Sequence, residues 1–232
     1  MRWLILTGFV LVIAAVLGLA SSPTSGQAGD QPLLGRTVCI DPGHGGDESG
    51  AVYQKRGRNG WTLIEKEINL DVALDLREKL EVDGGATVVM TRVDDSSVSL
   101  GDRVEICNGS GADIIVSLHT NGTRSPRWDG SLTLMSKNED KDRPLAEAIH
   151  PIMYNGLNEG WEGRFTDYGF NVDDWYVPKN TTMPAVILEP VFLSNPDEAE
   201  ALKLTVERAS DGRRGQIAQV EYDGILAYFA SQ

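Results

Sequence analysis

The spacing of hydrophobic and polar positions predicts strands that alternate with helices. Short apolar runs predict strands, at residues 38–40, 86–91, 113–118 and 184–190. Apolar positions three or four residues apart predict helices, at residues 65–80, 100–108 and 215–230, with Ser99 placed to cap the second. A further helical pattern begins near Arg143, and we expect Pro151 to disrupt it. This alternation predicts an α/β fold: a single domain with a largely parallel central sheet and helices on both faces.

The first part of the chain differs from the rest. Arg2 is followed by WLILTGFVLVIAAVLGLA, which is apolar and long enough for an export signal or a membrane anchor. We therefore predict a signal peptide or membrane anchor over residues 1–21, and a flexible tether rich in Ser, Gly, Pro and Gln over residues 22–34. We expect residues 35–232 to form the folded, catalytic domain. Either reading of the N-terminus places this domain outside the cytoplasm, in the periplasm, in the cell wall or secreted, and an anchor would tether it to the membrane.

The net charge limits the possible partners, and the cysteine content raises the question of a disulfide. The formal net charge of −13 argues against nucleic acid as a partner, because nucleic acid requires basic surfaces. The chain has two cysteines, Cys39 in an apolar strand and Cys107 on the apolar side of a helix. An exported protein can pair them, so a disulfide and two buried free thiols remain alternatives.

Polar residues of metal-binding or acid–base type follow three of the predicted strands. His44 comes shortly after the first strand, His119 directly after the 113–118 run, and Glu189 near the end of the last strand. If these strands are parallel, the three side chains emerge at the same carboxyl edge of the sheet, where open α/β folds place their sites. For the two histidines, a hydrogen-bonded structural role is the alternative.

Glu65 adds a fourth group to this set. It shares the buried stripe of its helix with Ile68 and Val72, whereas Glu67 lies on the solvent face. A favourable charge near the helix N-terminus is the alternative explanation for Glu65.

Together, two imidazoles and one carboxylate make the ligand set of a catalytic zinc site, with a fourth position open for water. We therefore predict Zn²⁺ held by His44, Glu65 and His119. A further carboxylate, Glu189, is placed to take the proton of the water and return it to a leaving amine.

Five blocks in order along the chain resemble the zinc-dependent N-acetylmuramoyl-L-alanine amidases of the Amidase_3 family. The blocks are CIDPGHGGDESGA, EKEINLDVALDLREKLE, GATVVMTR, LGDRVEICNGSGADIIVSLHTNG and YVPKNTTMPAVILEPVFLSNPDEA. The resemblance covers nearly all of residues 36–230. It implies that Zn²⁺ is held by His44, Glu65 and His119, with Glu189 as the catalytic carboxylate. It also implies cleavage of the amide between the lactyl group of N-acetylmuramic acid and the L-alanine of the peptidoglycan stem peptide, in wall remodelling or daughter-cell separation.

The chain also departs from the family pattern. The family usually has a small residue and a glycine after the catalytic glutamate, where this chain has Pro190 and Val191. We expect these two residues to affect the fit of the substrate more than the chemistry. The third histidine, His150, has no counterpart among the ligands, and we expect it to be structural or exposed.

Two further positions match recurring family positions, Arg103 and Asn121. We expect Arg103 to brace the fold rather than touch substrate. For Asn121, holding the site loop and contacting the peptide remain alternatives. Trp61, Trp161 and Trp175 either line a groove for the substrate or pack in the core.

Two other functions remain open at this point. One is a non-catalytic peptidoglycan-binding relative, and the other is a zinc amidase or peptidase with a different amide substrate. In the leading interpretation peptidoglycan is the substrate, the chain is a monomer, and the need for an activator protein is open.

Overall fold

The computed structural model describes residues 31–161, 163–203 and 212–232. The predicted export segment, residues 1–21, and most of the predicted tether lie outside the described residues. The last residues of that tether belong to a turn over residues 32–35. In this turn Leu33 is 1% exposed, and its N–H donates to the carbonyl of Gly84.

Within the described residues, the apolar runs form strands and the amphipathic segments form helices. The strands are β1 (Thr37–Pro42), β2 (Val52–Lys55), β3 (Trp61–Ile64), β4 (Thr87–Met90), β5 (Ile114–Leu118), β6 (Gly130–Met135), β7 (Thr166–Val172) and β8 (Ala185–Glu189). The α-helices are α1 (Glu65–Glu78), α2 (Leu100–Gly109), α3 (Glu139–Asn158), α4 (Tyr176–Asn180), α5 (Pro196–Leu202) and α6 (Arg213–Ala230). A π-helical turn, Lys79–Asp83, follows α1. Ser99 caps α2 as predicted, because its side-chain oxygen accepts the N–H of Asp102.

The central sheet has the strand order β4-β1-β5-β8-β6-β7. Strands β4, β1, β5 and β8 are parallel to one another. Strand β6 is antiparallel to β8, and β7 is parallel to β6. The predicted fold class, an α/β domain with a largely parallel sheet, is therefore confirmed. The hairpin of β2 and β3, which the sequence analysis did not predict, forms a separate antiparallel pair.

Helices cover both faces of this sheet, also as predicted. Helices α1, α3 and α6 pack over one face, around a core that includes Ile40, Val116 and Leu188. Helices α2 and α4 lie over the other face, which Cys39 and Ile115 line. Because successive residues of a strand point to opposite faces, the central strands must be apolar on both.

The prediction that Pro151 disrupts its helix was wrong. Helix α3 runs without interruption through both Pro144 and Pro151. A proline inside a helix costs about 3 kcal/mol because it removes a hydrogen bond and crowds the preceding turn. Beyond the proline, however, Met153 and Leu157 are fully buried, and burying each such side chain contributes about 1.5–3 kcal/mol. Tertiary packing therefore outweighs the local penalty.

The two cysteines form a disulfide. Cys39 of β1 and Cys107 of α2 are bonded, with their Cα atoms 5.7 Å apart. Of the two alternatives that the sequence left open, the disulfide is the one observed. The bond ties the strand that leads to His44 to the helix that carries Arg103.

Replacing both cysteines, Cys39→Ala with Cys107→Ala, is expected to lower the free energy of unfolding by about 2–4 kcal/mol. The cross-link joins residues that are 68 positions apart in sequence, so its loss frees a long loop in the unfolded chain. Urea denaturation of the oxidised wild type and the double variant measures the difference. The reduced wild type is the control and should match the double variant. Equal stability of the oxidised and reduced wild type would contradict this expectation.

Candidate active site

Three parallel strands end side by side at one edge of the sheet. Leu118 at the end of β5 lies beside Pro42 of β1 and Leu188 of β8. Polar residues at or just after these strand ends therefore meet, as the sequence analysis expected. The residues that come from the three strand ends and line one cleft of about 380 Å³ are His44, His119 and Glu189.

Glu65 lies between the two histidines of this cleft. It is the first residue of α1 and is 5% exposed. Its Oε1 lies 3.1 Å from Nε2 of His44 and 3.1 Å from Nδ1 of His119. The N–H of Thr120 donates to Oε1 at 3.2 Å, and the N–H of Ala51 donates to Oε2 at 2.7 Å. Burial raises the pKa of Glu65, but the hydrogen bonds and charges of the two histidines outweigh burial and hold the pKa well below its usual value.

Two glycines leave room for this cluster. A Cβ atom on Gly43 would lie 2.3 Å from Nε2 of His119, and one on Gly50 would lie 2.5 Å from Oε2 of Glu65. Both distances are far inside van der Waals contact, so a side chain at either position would displace the cluster. His44 itself has a φ of 60°, which is uncommon for a residue with a Cβ.

His44, Glu65 and His119 fit a metal ion. Each offers one ligand atom, and these atoms lie within 4.8 Å of one another. Two imidazole nitrogens and one carboxylate oxygen form the donor set of a catalytic zinc site, in which the fourth position stays open. The cleft supplies that opening. The structure thus brings together the three residues that the sequence analysis selected, and the chemistry of their donor atoms suits Zn²⁺.

Glu189 faces the same cleft with an unpaired oxygen. Its Oε2 is buried and has no hydrogen-bond partner among the described residues. Burial, together with the negative charge of Glu65, raises the pKa of Glu189 well above its usual value. Leaving a buried carboxyl oxygen unpaired costs free energy. A group of this kind in a cleft is typical of a functional site.

Arg103 braces the loop that carries His44. It is 3% exposed, and its guanidinium donates to the carboxylate of Asp41 at 2.6 Å. It also donates to the carbonyl oxygens of Pro42 at 2.8 Å and His44 at 2.6 Å. Arg92 supports the same loop by donating to the carbonyl of Pro42 at 2.9 Å. Arg103 does not line the cleft, so these contacts favour a bracing role over contact with substrate.

Replacing Arg103 by glutamine is expected to lower the free energy of unfolding at neutral pH by about 3–5 kcal/mol, because Asp41 stays buried without its cation. Burial raises the pKa of Asp41, but the Arg103 charge and the hydrogen bonds to Asp41 outweigh burial and lower the pKa. A carboxylate with a lowered pKa stabilises the fold above its unfolded pKa of about 3.9, and this contribution is lost as the pH falls through the folded pKa. The difference in free energy of unfolding between the wild type and the variant, which we call the deficit, should therefore become smaller as the pH falls.

Urea denaturation at neutral pH and at about pH 3 measures this deficit. Arg103→Lys keeps the positive charge and is the control, with a smaller deficit expected at neutral pH. A deficit of equal size at both pH values would contradict the assigned ion pair.

Asn121 holds the loop that follows His119. Its N–H donates to the carbonyl of Val191 at 2.9 Å, and its carbonyl accepts the N–H of Leu193 at 2.7 Å. Its side-chain Oδ1 accepts the N–H of Gly122 at 2.8 Å. Asn121 also lines the cleft, so the loop-holding role is observed and the position is open to a ligand as well.

Pro190 and Val191, which we expected to affect the fit of the substrate, are both buried. Pro190 is buried, and its carbonyl accepts the hydroxyl of Ser131 at 2.8 Å. Val191 is 0% exposed and belongs to the hydrophobic core. Neither residue lines the cleft.

His150 lies apart from the metal-binding cluster, as expected. It is 3% exposed, with Nδ1 2.9 Å from the hydroxyl of Thr133 and Nε2 2.8 Å from a carboxylate oxygen of Asp167. A buried histidine with both ring nitrogens paired has a structural role.

The tryptophans that the sequence analysis named do not line the cleft. Trp61 lies beneath the ammonium groups of two lysines, and Trp161 lies against two arginines. Trp175 donates its indole N–H to Asn171 at 3.3 Å. Trp128, which the sequence analysis did not name, lines a pocket beside the cleft instead.

The sequence analysis also missed Asn69. Its amide nitrogen lies 3.3 Å from Oε1 of Glu65 and supports the carboxylate from within the fold. Asn69 is 1% exposed and comes four residues after Glu65. A polar residue on the buried stripe, one turn from a candidate ligand, is the signal that would have revealed it.

The site lies at the carboxyl edge of parallel strands and combines two histidines with two carboxylates. Such an arrangement is typical of metal-dependent hydrolases. Fold and site together resemble that class. The chain belongs to the Amidase_3 family, N-acetylmuramoyl-L-alanine amidase, whose family model matches residues 38–225.

Relatives and solved structures agree with this assignment. LytC of Bacillus subtilis (strain 168), an N-acetylmuramoyl-L-alanine amidase, is 34% identical over 200 residues, which cover 85% of this chain. This chain spans 36% of the length of LytC. The germination-specific N-acetylmuramoyl-L-alanine amidase of the same strain is 29% identical over 247 residues, which cover 100% of this chain and 96% of the relative.

The fold is also similar to a solved amidase structure. The catalytic domain of CwlV, an N-acetylmuramoyl-L-alanine amidase from Bacillus (Paenibacillus) polymyxa var. colistinus, superposes with a TM-score of 0.71. The two chains are 31% identical, and the match covers 85% of this chain and 99% of the CwlV chain.

Proposed function

We propose that this chain is an exported, zinc-dependent hydrolase that cleaves the amide between N-acetylmuramic acid and the L-alanine of the stem peptide in peptidoglycan. The observation that carries the proposal is the convergence of His44, Glu65 and His119 beside the unpaired oxygen of Glu189. Membership of the amidase family supports the choice of substrate. Remodelling of the wall or separation of daughter cells is the process that such a cleavage would serve.

His44, Glu65 and His119 would hold the zinc ion. When bound, zinc supplies Lewis acidity towards the amide carbonyl and lowers the pKa of a water at the open coordination position. A carboxylate that binds a metal must be anionic, and the hydrogen bonds that Glu65 accepts from backbone N–H groups favour its anionic form. The N–H groups of Ala51 and Thr120 orient its carboxylate, which is the supporting interaction that ligands in metal sites usually receive.

Glu189 would move the proton. Its Oε2 accepts a proton from the attacking water and then donates this proton to the leaving nitrogen of L-alanine. Burial and the negative charge of Glu65 raise the pKa of Glu189, which favours its protonated form. Because Oε2 of Glu189 has no hydrogen-bond partner among the described residues, it is free both to accept the proton and to donate it.

We also propose that the domain works outside the cytoplasm, with residues 1–21 as a signal peptide or a membrane anchor, residues 22–34 as a tether and residues 35–232 as the catalytic domain. The disulfide between Cys39 and Cys107 supports this location, because disulfides persist in oxidising compartments. Among the helices of the described residues, none combines the length and the apolar character that crossing a membrane requires. The chain would act on peptidoglycan as a monomer.

The test is a digestion of purified peptidoglycan by residues 23–232, analysed by mass spectrometry with and without a chelator. We expect free stem peptides that begin at L-alanine, together with peptide-free glycan strands, and neither product under chelator. Products cut at another amide would instead identify a zinc amidase or peptidase with a different substrate. Sedimentation of the chain with peptidoglycan, without release of any peptide, would identify a non-catalytic peptidoglycan-binding relative.

A further inference from the structure

A second pocket, lined by aromatic rings, adjoins the candidate active site. Trp128 and Tyr168 lie with ring centroids 5.4 Å apart, and Phe192 lies 6.3 Å from Trp128 and 5.5 Å from Tyr168. The pocket encloses about 350 Å³, which is within the range of small-molecule sites. Asn121 lines both this pocket and the active-site cleft, so one ligand can occupy both.

The position of the three rings suits a flat ligand. Phe192 is 4% exposed and forms the floor of the pocket. Trp128 is 47% exposed, which leaves much of its ring free for contact with a ligand. An exposed indole beside an apolar floor offers a large contact area with little conformational freedom to lose on binding.

The polar groups around the rings are neutral. None of the residues that line the pocket carries a formal charge at neutral pH. The side-chain oxygen of Asn121 already accepts the N–H of Gly122, and that of Asn171 accepts the indole N–H of Trp175. The amide nitrogens of Asn121 and Asn171 have no acceptor among the described residues, so both are available to donate to a ligand.

Another pocket, which shares Ala51 and Gly122 with the cleft, has a different character. This pocket encloses about 250 Å³, and Arg124 and Ser194 are among the residues that line it. Arg124 is exposed and forms no ion pair within the described part of the chain. Its guanidinium is therefore free to bind a carboxylate of the ligand.

The glycan half and the peptide half of the substrate differ in the same way, because the first is neutral where it meets the pocket and the second carries carboxylates. An N-acetylhexosamine ring has an apolar C–H face, hydroxyl groups and a neutral amide. The stem peptide begins with the single methyl side chain of L-alanine and then presents free carboxylates. A pocket of three aromatic rings is too large for that methyl group and lacks a cation for the carboxylates, whereas it matches the face of a sugar.

We propose that the pocket of Trp128, Tyr168 and Phe192 binds the N-acetylmuramic acid ring of the glycan strand, while the stem peptide extends past Gly122 towards Arg124. This orientation rests on the proposed amidase function. It assigns the specificity for a glycan-linked substrate to the loop between β5 and β6, to β7 and to the segment after β8, rather than to the residues that hold the metal.

The test compares two substrates that carry the same stem peptide, using the full chain. In one substrate the peptide is attached to the disaccharide of N-acetylglucosamine and N-acetylmuramic acid, and in the other it is attached only to a D-lactoyl group. Trp128→Ala is expected to lower kcat/KM on the disaccharide substrate about tenfold, mainly through KM, because it removes the stacking surface. The lactoyl substrate should be cleaved equally well by the wild type and the variant.

Two control variants accompany Trp128→Ala. Tyr176 is an aromatic residue outside the pocket and is 46% exposed, close to the exposure of Trp128. Tyr176→Ala should leave both substrates unaffected. Trp128→Phe keeps a ring and should recover most of the lost activity on the disaccharide substrate.

Equal losses on both substrates would overturn the proposal, because they would place the effect of Trp128 in the peptide half or in the fold. No loss on either substrate would overturn it as well. If the wild type cleaves neither substrate, the proposed function fails, and the pocket is then tested by binding alone. In that case the peptide-free disaccharide should shift the indole N–H resonance of Trp128, whereas a shift caused only by the free stem peptide would contradict the orientation.

Discussion

Replacing Glu189 by glutamine is expected to lower kcat on peptidoglycan about a thousandfold while leaving the zinc content unchanged. Glutamine has nearly the same shape as glutamate but cannot accept the proton of the attacking water. The buried Oε2 of Glu189 has no hydrogen-bond partner among the described residues, so the substitution breaks no observed contact of that oxygen. Steady-state release of stem peptide and metal analysis of the same preparation measure the two quantities.

Glu67→Gln is the matched control for Glu189→Gln. Glu67 lies in the first turn of α1 on its exposed face, two residues after Glu65. The same chemical change at this position should leave both kcat and zinc content unaltered. Wild-type turnover by the Glu189→Gln variant would show that Glu189 does not transfer the proton.

Replacing Glu65 by glutamine is expected to weaken zinc binding by more than about a hundredfold and to abolish turnover. Loss of a residue that only supports a ligand costs about 10–100-fold in metal affinity, so loss of a ligand should cost more. Glu65 is also the group that both histidines contact. Metal analysis after dialysis against a chelator of known affinity measures the change.

His150→Gln is the control for Glu65→Gln. It alters the third histidine of the chain, which is hydrogen-bonded to Thr133 and Asp167 and lies outside the metal-binding cluster. This variant should keep one zinc per folded chain, the same content that we expect of the wild type. Added zinc should restore activity to the chelated wild type and not to Glu65→Gln. Full zinc occupancy in Glu65→Gln would show that Glu65 is not a ligand.

Much of the site could be predicted from the sequence because its geometry is local to elements with strong patterns. His119 and Glu189 lie at the ends of buried apolar strands, and parallel strands bring such ends to one edge. Glu65 is identified by its place on the buried stripe of a regular helix. In these cases the position along one element decides where the side chain points.

Other features depend on contacts between distant segments, which no local pattern specifies. The disulfide requires Cys39 and Cys107 to approach within bonding distance across the packing of β1 and α2. The aromatic pocket joins Trp128, before β6, to Tyr168 of β7 and to Phe192, after β8. The failure at Pro151 has a similar cause, because packing along the rest of α3 outweighs a local penalty.

The most direct test of the central claim is to hydrolyse a defined disaccharide–peptide in water enriched in ¹⁸O and to analyse the products by mass spectrometry. Hydrolysis of the proposed amide must place the heavy oxygen in the lactyl carboxylate of N-acetylmuramic acid, with an unlabelled peptide that begins at a free L-alanine amine. Label in a carboxylate of the peptide, or at the reducing end of the sugar, would show that a different bond is cut and would contradict the assignment.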